Sequence, residues 1–139
     1  TNFLEIRDEH DVILGYLKNP VIRPALRRLG SDAFTEVANL LYGFNFRYFN
    51  GMMLGKNAVF QGIEVKADGH AFMPELLAKA VLRDPQLRIG EAPFVINGRT
   101  HGQTNAFTPS TIVESIIDVY RGYHSVREYR DRVVRSDKG

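Results

Sequence analysis

The chain has 139 residues, 44% of them hydrophobic, with no cysteine and with 18 basic against 16 acidic side chains. That length suits one globular domain with a modest core. The net charge of +2 gives no ground for non-specific attraction to nucleic acid, and the lack of cysteine excludes disulfides, thiolate zinc sites and cysteine nucleophiles together.

No apolar run approaches the roughly 18 to 20 residues that cross a bilayer, and no signal-peptide pattern opens the chain. Any membrane contact is therefore expected to be peripheral or to lie outside this chain, and the lack of cysteine suits a reducing, cytoplasmic compartment. Thr1 is not an initiator methionine, and a strand-like stretch follows with no turn or cap before it, as in a chain that starts inside a longer domain. The acidic cluster Asp8-Glu9-His10-Asp11 reads as the exposed approach to that strand. Metal binding there is not expected, because no further ligands accompany Asp8 and Asp11. His10 and His124 likewise read as surface residues.

Asp11 to Tyr16 is a short apolar run closed by glycine, the pattern of a buried parallel strand. Asn19-Pro20 supplies a cap and a first-turn proline, and Leu26, Leu29, Ala33, Val37, Leu40 and Leu41 follow at helical spacing. Gly30-Ser31-Asp32 interrupts them with a breaker and two capping residues, which predicts two helices joined at Gly30. Gly43 ends the region. Phe44 to Leu54 reads as extended, with a bend at Asn50-Gly51 where the backbone needs glycine.

After the turn at Asp68-Gly69, Phe72, Leu76, Leu77, Ala80 and Val81 form an amphipathic helix face, with Pro74 in its first turn and Glu75 four residues before Lys79. Leu87 to Ile96 is a strand in which Pro93 favours an edge position. Arg99 to Asn105 is a loop crowded with hydrogen-bond donors. Thr108-Pro109 then opens a last helix with a stripe of Ile112, Val113, Ile116, Ile117 and Tyr120. A weaker stripe of Tyr123, Val126, Tyr129 and Val133 runs on through the last 19 residues, which hold five arginines and one lysine. Mixed strands and helices without an antiparallel run give an α/β fold class.

The loop at 99–105 is the strongest chemical signal: an arginine, hydroxyls and a glycine-relaxed backbone suit a phosphate or pyrophosphate. Composition alone leaves a solvated surface loop open. Three elements then occur in order: Glu75-Leu76-Leu77 on a helix, Glu91-Ala92-Pro93 on a strand, and Arg99-x-x-Gly102-x-Thr104 in the loop. Together with Asn39-Leu40-Leu41-Tyr42-Gly43 and the Asn50-Gly51 bend, they resemble a block of family 2, GT-A type glycosyltransferases, similar to dolichyl-phosphate mannose synthases and undecaprenyl-phosphate sugar transferases. The resemblance covers residues 10 to 123.

It implies the C-terminal part of a GT-A (Rossmann-like) fold, a few strands packed with three to four helices. Residues 1–123 would be the acceptor-side half of the domain, without the nucleotide-binding half and its Asp-x-Asp motif, and 124–139 a basic C-terminal tail. The implied partners are a nucleotide-sugar donor and a polyprenyl phosphate acceptor at the cytoplasmic membrane face. A divalent metal, Mg or Mn, would belong to the complete enzyme, with none bound by this chain, which alone would be inactive. Nucleic acid is not expected, and homo-oligomerisation stays open.

On the same resemblance Arg99 and Thr104 would hold the acceptor phosphate, with Gln103 and His101 beside them and Arg28 and Ser31 helping from the helix. Lys18 would replace, as a phosphate contact, an arginine common after the first strand, and Asn50 at the bend would be a further substrate-binding residue. Glu75 would orient substrate near the reaction centre; its other reading is an exposed helix glutamate paired with Lys79. The chain departs from the pattern at Arg47, where an aspartate is usual, and at Asn105, where a lysine is usual. A competing function is a non-catalytic module that holds anions, lipid headgroups or RNA through the 99–105 loop and the basic tail.

Overall fold

Val12–Leu17 forms strand β1, and Val12, Ile13 and Leu14 are all buried, as a continuous apolar run covered on both faces requires. The computed structural model describes residues 3–19, 25–49, 51–95 and 109–139. Among these, β1 is the middle of a three-stranded mixed sheet. Its partners are β2 (Met53–Gly55) on one side and β3 (Ile89–Phe94) on the other. β1 and β3 run parallel, in register from Val12 opposite Ile89 to Leu17 opposite Phe94. β2 pairs antiparallel, with Ile13 opposite Leu54, a pairing that the sequence reading lacked because three residues are too few to show a period.

The α/β class holds. Helices α2 (Ala25–Tyr42), α4 (Phe72–Arg83) and α5 (Pro109–Ser136) are long, while α1 (Phe3–Ile6) and α3 (Asn57–Phe60) are single turns. The core joins Val12, Leu14, Ala38, Phe49 and Leu77, with Phe34, Phe44, Phe46 and Met73 packed around it. β3 is shorter than the expected 87–96, and Ile96 lies outside the described residues. Pro93 falls on an outer strand whose described pairing is with β1 alone, so its missing N–H breaks no central ladder.

Two expectations are corrected. The two helices predicted around Gly30 are one: α2 runs unbroken through Gly30-Ser31-Asp32. A mid-helix glycine costs about 1 kcal/mol, and the burial of Thr35 and Ala38 with the packing of Phe34 and Tyr42 outweighs it. The helix ends where expected, at Gly43, whose φ of 70° is the left-handed conformation of a C-terminal cap. The apolar stripes predicted on α2 and α5 are real, but Leu26, Leu29, Val37 and Leu40 on the first, and Val113, Ile116, Ile117 and Tyr120 on the second, are exposed. Helical spacing defines a face without saying which layer covers it. Instead α5 packs on α4 through Gly122 and Ser125, and it continues without a break through residues 124–136 of the basic tail. Among the described residues no helix is long and apolar enough to cross a membrane.

Thr35 carries the one buried side-chain polar atom without a hydrogen-bond partner among the described residues. A buried hydroxyl with no partner is a net cost, and valine has nearly the same shape. Thr35→Val is therefore expected to stabilise the fold by about 1 kcal/mol, read as a higher urea midpoint. A lower midpoint would show that the hydroxyl is satisfied in solution.

Candidate functional site

Because β1 and β3 are parallel, both end at the same edge of the sheet, Leu17 beside Phe94. In open parallel sheets ligands bind outside the carboxyl ends of the strands. At that edge lies a cleft of about 250 Å³ lined by Tyr16, Leu17, Arg28, Ser31, Asp32, Arg47 and Tyr48. Three separate segments supply it. Tyr16 and Leu17 are the last residues of β1. Arg28, Ser31 and Asp32 stand at helical spacing on one side of α2, and they can face the cleft together only because the helix is not broken at Gly30. Arg47 and Tyr48 belong to the aromatic segment that follows α2.

That segment is held by its alternation of large rings. Phe44, Phe46 and Phe49 pack on one another with centroids 5.1 to 6.1 Å apart, leaving the Arg47 side chain outside the core. Its backbone is fixed from two elements. Asn39 on α2 donates to the carbonyl of Phe46 at 2.9 Å and accepts from its N–H at 3.0 Å. Glu91 on β3 accepts the N–H of Arg47 at 2.7 Å. The Arg47 guanidinium lies over the Tyr16 ring, 4.7 Å from its centroid, within cation–π range. Asn39 and Glu91, both read in the sequence as motif residues, thus meet on the peptide group that joins Phe46 to Arg47.

Of the residues expected to bind phosphate, Arg28 and Ser31 meet in this cleft. Lys18 is exposed just past β1, and its N–H extends the ladder to the carbonyl of Phe94 at 2.9 Å, but its side chain is not part of the lining. Asn50, Arg99, His101, Gln103 and Thr104 lie outside the described residues, as do Pro20, Asn105 and Thr108. Glu75 stands elsewhere, between α4 and α5, and is fully buried. Its reading as exposed is thereby corrected, although its pairing with Lys79 is present at 2.6 Å. Its oxygens also accept the N–H groups of Lys66 and Ala67 at 3.0 and 2.7 Å. Lys79 Nζ in turn donates to the carbonyl of Glu64 and to the Ser125 hydroxyl. Burial pushes the Glu75 carboxyl up, but hydrogen bonds from Lys79, Ser125 and the two backbone N–H groups outweigh it and hold the pKa below its ordinary value.

Asp11 marks the opposite end of the sheet. Hydrogen bonds from Arg88, then from Lys56, hold its carboxyl far below the usual carboxylate range, and its oxygens lie 3.2 Å from Arg88 Nη2 and 2.6 Å from Lys56 Nζ. The acidic approach to β1 is therefore a lock joining three segments. His10, expected at the surface, is half-buried: its Nδ1 meets the carbonyl of Ile6 at 3.0 Å and its ring sits against Gly90. Among the described residues no three His, Cys, Asp or Glu side chains converge as metal ligands.

Sequence reading missed Tyr16, Leu17, Asp32, Arg47 and Tyr48 as cleft residues. The departure at Arg47 was the one signal that could have found it. No family model, curated protein or solved structure matches the chain.

Proposed function

We propose that this chain forms the acceptor-phosphate side of a family 2 glycosyltransferase that moves a sugar from a nucleotide-sugar to a polyprenyl phosphate at a membrane surface. The supporting observation is that Arg28 and Ser31, chosen from the sequence resemblance alone, line one cleft outside the carboxyl ends of the parallel strands. The donor-rich loop that begins at Arg99 follows β3 in the chain, five residues after Phe94.

In the reaction, a phosphate oxygen of the acceptor attacks the anomeric carbon. A carbon–oxygen bond forms there as the bond to the nucleoside diphosphate breaks, and the diphosphate leaves with the electron pair. A phosphate monoester has a second pKa of about 6, so near neutrality it is mostly dianionic and needs no general base. Arg28 and Ser31 would hold and orient the attacking phosphate. The divalent metal implied by the resemblance finds no ligand set among the described residues. Glu75, expected to orient substrate, is buried away from the cleft lining and takes no part in this scheme; it fixes the 64–67 segment to α4.

The test uses the complete protein with a panel of nucleotide-sugars and a polyprenyl phosphate, product being detected as a glycosylated lipid phosphate. Transfer is expected, and Arg28→Ala should lower kcat/KM for the lipid about tenfold or more. Absence of any glycolipid product would refute the reading, as would unchanged transfer by Arg28→Ala. A second reading, a non-catalytic module for anionic lipid headgroups, draws on a groove of about 190 Å³ between α2, α4 and α5, lined by Tyr42, Phe44 and Tyr123 with Arg127 and Arg130. It predicts binding to anionic vesicles, lost in Arg127→Ala/Arg130→Ala, without turnover.

A further inference from the structure

We infer that Arg47 is a phosphate-binding residue of the cleft, paired with Arg28 across it, and that Glu91 and Asn39 are its positioning residues. The inference deepens the proposed function and takes from it that a phosphate monoester is the ligand of the cleft.

Four contacts from three elements converge on residues 46 and 47. Asn39 from α2 makes two hydrogen bonds to the backbone of Phe46, Glu91 from β3 accepts the N–H of Arg47, and Tyr16 at the end of β1 carries the guanidinium on its ring. An idle surface arginine needs none of this; a long side chain that must meet a ligand in one geometry gains from all of it. Arg28 on α2 and Arg47 in the loop after it, 19 positions apart in the chain, line one cleft of about 250 Å³. Arginine presents planar paired donors that match phosphate oxygens, and a ring face stacks on it without using those donors.

The opposing charges have separate places. Glu91 Oε2 lies 4.0 Å from Arg47 Nε, at the outer limit of an ion pair, while its other oxygen takes the backbone N–H. Among the described residues no hydrogen bond or ion pair takes the two terminal nitrogens of the guanidinium. Asp32 also lines the cleft and would set an upper limit on how much negative charge the site accepts. Where the resemblance would put an aspartate at position 47, this chain reverses the charge, so the same backbone clamp presents a cation. The cleft is thereby suited to a monoester, with one arginine from α2 and one from the loop that follows it.

The experiment is calorimetric titration of the complete protein with a short prenyl monophosphate, with the parent alcohol as the uncharged control. Wild type binds the monophosphate and not the alcohol. Arg47→Ala and Arg28→Ala each weaken binding about tenfold or more, and Arg47→Lys recovers only part of the loss. Glu91→Gln keeps an acceptor for the Arg47 N–H and binds at least as tightly as wild type, whereas Glu91→Leu loses the clamp and binds as weakly as Arg47→Ala. Thermal midpoints of the Arg47 variants should match wild type, since that side chain is largely exposed. Wild-type affinity in Arg47→Ala together with weakened binding in Arg28→Ala would overturn the inference and leave the proposed cleft standing. Unchanged binding in both variants, or equal binding of alcohol and phosphate, would overturn both. Arg47-dependent binding by a protein that transfers no sugar would uphold the site and sink the reaction.

Discussion

Replacing Lys79 with alanine is expected to cost about 3–5 kcal/mol of folding free energy, read as a large fall in the urea midpoint. The Lys79 ammonium donates to Glu75 at 2.6 Å, to the Glu64 carbonyl at 2.6 Å and to the Ser125 hydroxyl at 2.7 Å. The side chains of Glu75, Lys79 and Ser125 are all buried. Without the ammonium a buried carboxylate and a buried hydroxyl lose a partner, and so does the Glu64 carbonyl. The comparison that separates charge from packing is Glu75→Gln/Lys79→Met, which removes both charges and should lose less than Lys79→Ala alone, because the uncompensated ion is gone.

The pH dependence has a definite sign. Glu75 has a folded pKa below its ordinary 4.5, so its contribution is complete above that value and is lost as pH falls through the folded pKa. In Lys79→Ala the largest of the opposing hydrogen bonds is gone and burial pushes the carboxyl up. The gap in stability between wild type and variant should therefore be widest near neutrality and narrow on acidification below pH 4.5. A gap that stays constant from pH 7 to pH 3, or a variant as stable as wild type, would show that the pair is not the source of the loss.

Gly51→Ala is the second large effect, with about 1–3 kcal/mol lost to overpacking. A methyl group at position 51 would overlap the carbonyl oxygen of Gly15 and come within 2.9 Å of the Phe94 ring. The oxygen belongs to the central strand, and the N–H of the same residue donates to the Met52 carbonyl at 2.7 Å. Neither side can yield without parting the sheet. Gly43→Ala is the control: nothing lies within 4 Å of its added carbon, but its φ is +70°, so only local backbone strain opposes it, about 1–2 kcal/mol. The outcome to exclude is a Gly51→Ala protein that melts with wild type while Gly43→Ala does not.

Much of the scaffold was legible before the structure. β1 could be read because four consecutive buried residues leave a run with no polar alternation, and α4 because its spacing, its Pro74 and its Glu75–Lys79 pair agree. The unbroken course of α2 was hidden, since Gly30, Ser31 and Asp32 are local breakers and only the burial of Thr35 and Ala38 overrides them. The environment of Glu75 was hidden for a related reason: a glutamate four residues before a lysine looks the same on a wet helix face as in a buried contact with a second helix. The cleft was half visible. Arg28 and Ser31 carry a pattern, but Tyr16 and Arg47 lie 31 positions apart in the sequence, and what joins them is a strand end meeting a loop clamped by Asn39 and Glu91.

The mixed sheet also sets an order of events during synthesis. β1 is the centre of the sheet, yet its parallel partner β3 arrives much later, and the Asp11–Arg88 contacts that lock the pair join residues 77 apart in sequence. Closing so long a loop is entropically costly and slow relative to local helix formation. The apolar run of β1 must therefore wait on the ribosome with one edge open until most of the chain has emerged, and the short antiparallel partner β2, made earlier, is what can shield its other edge in the meantime.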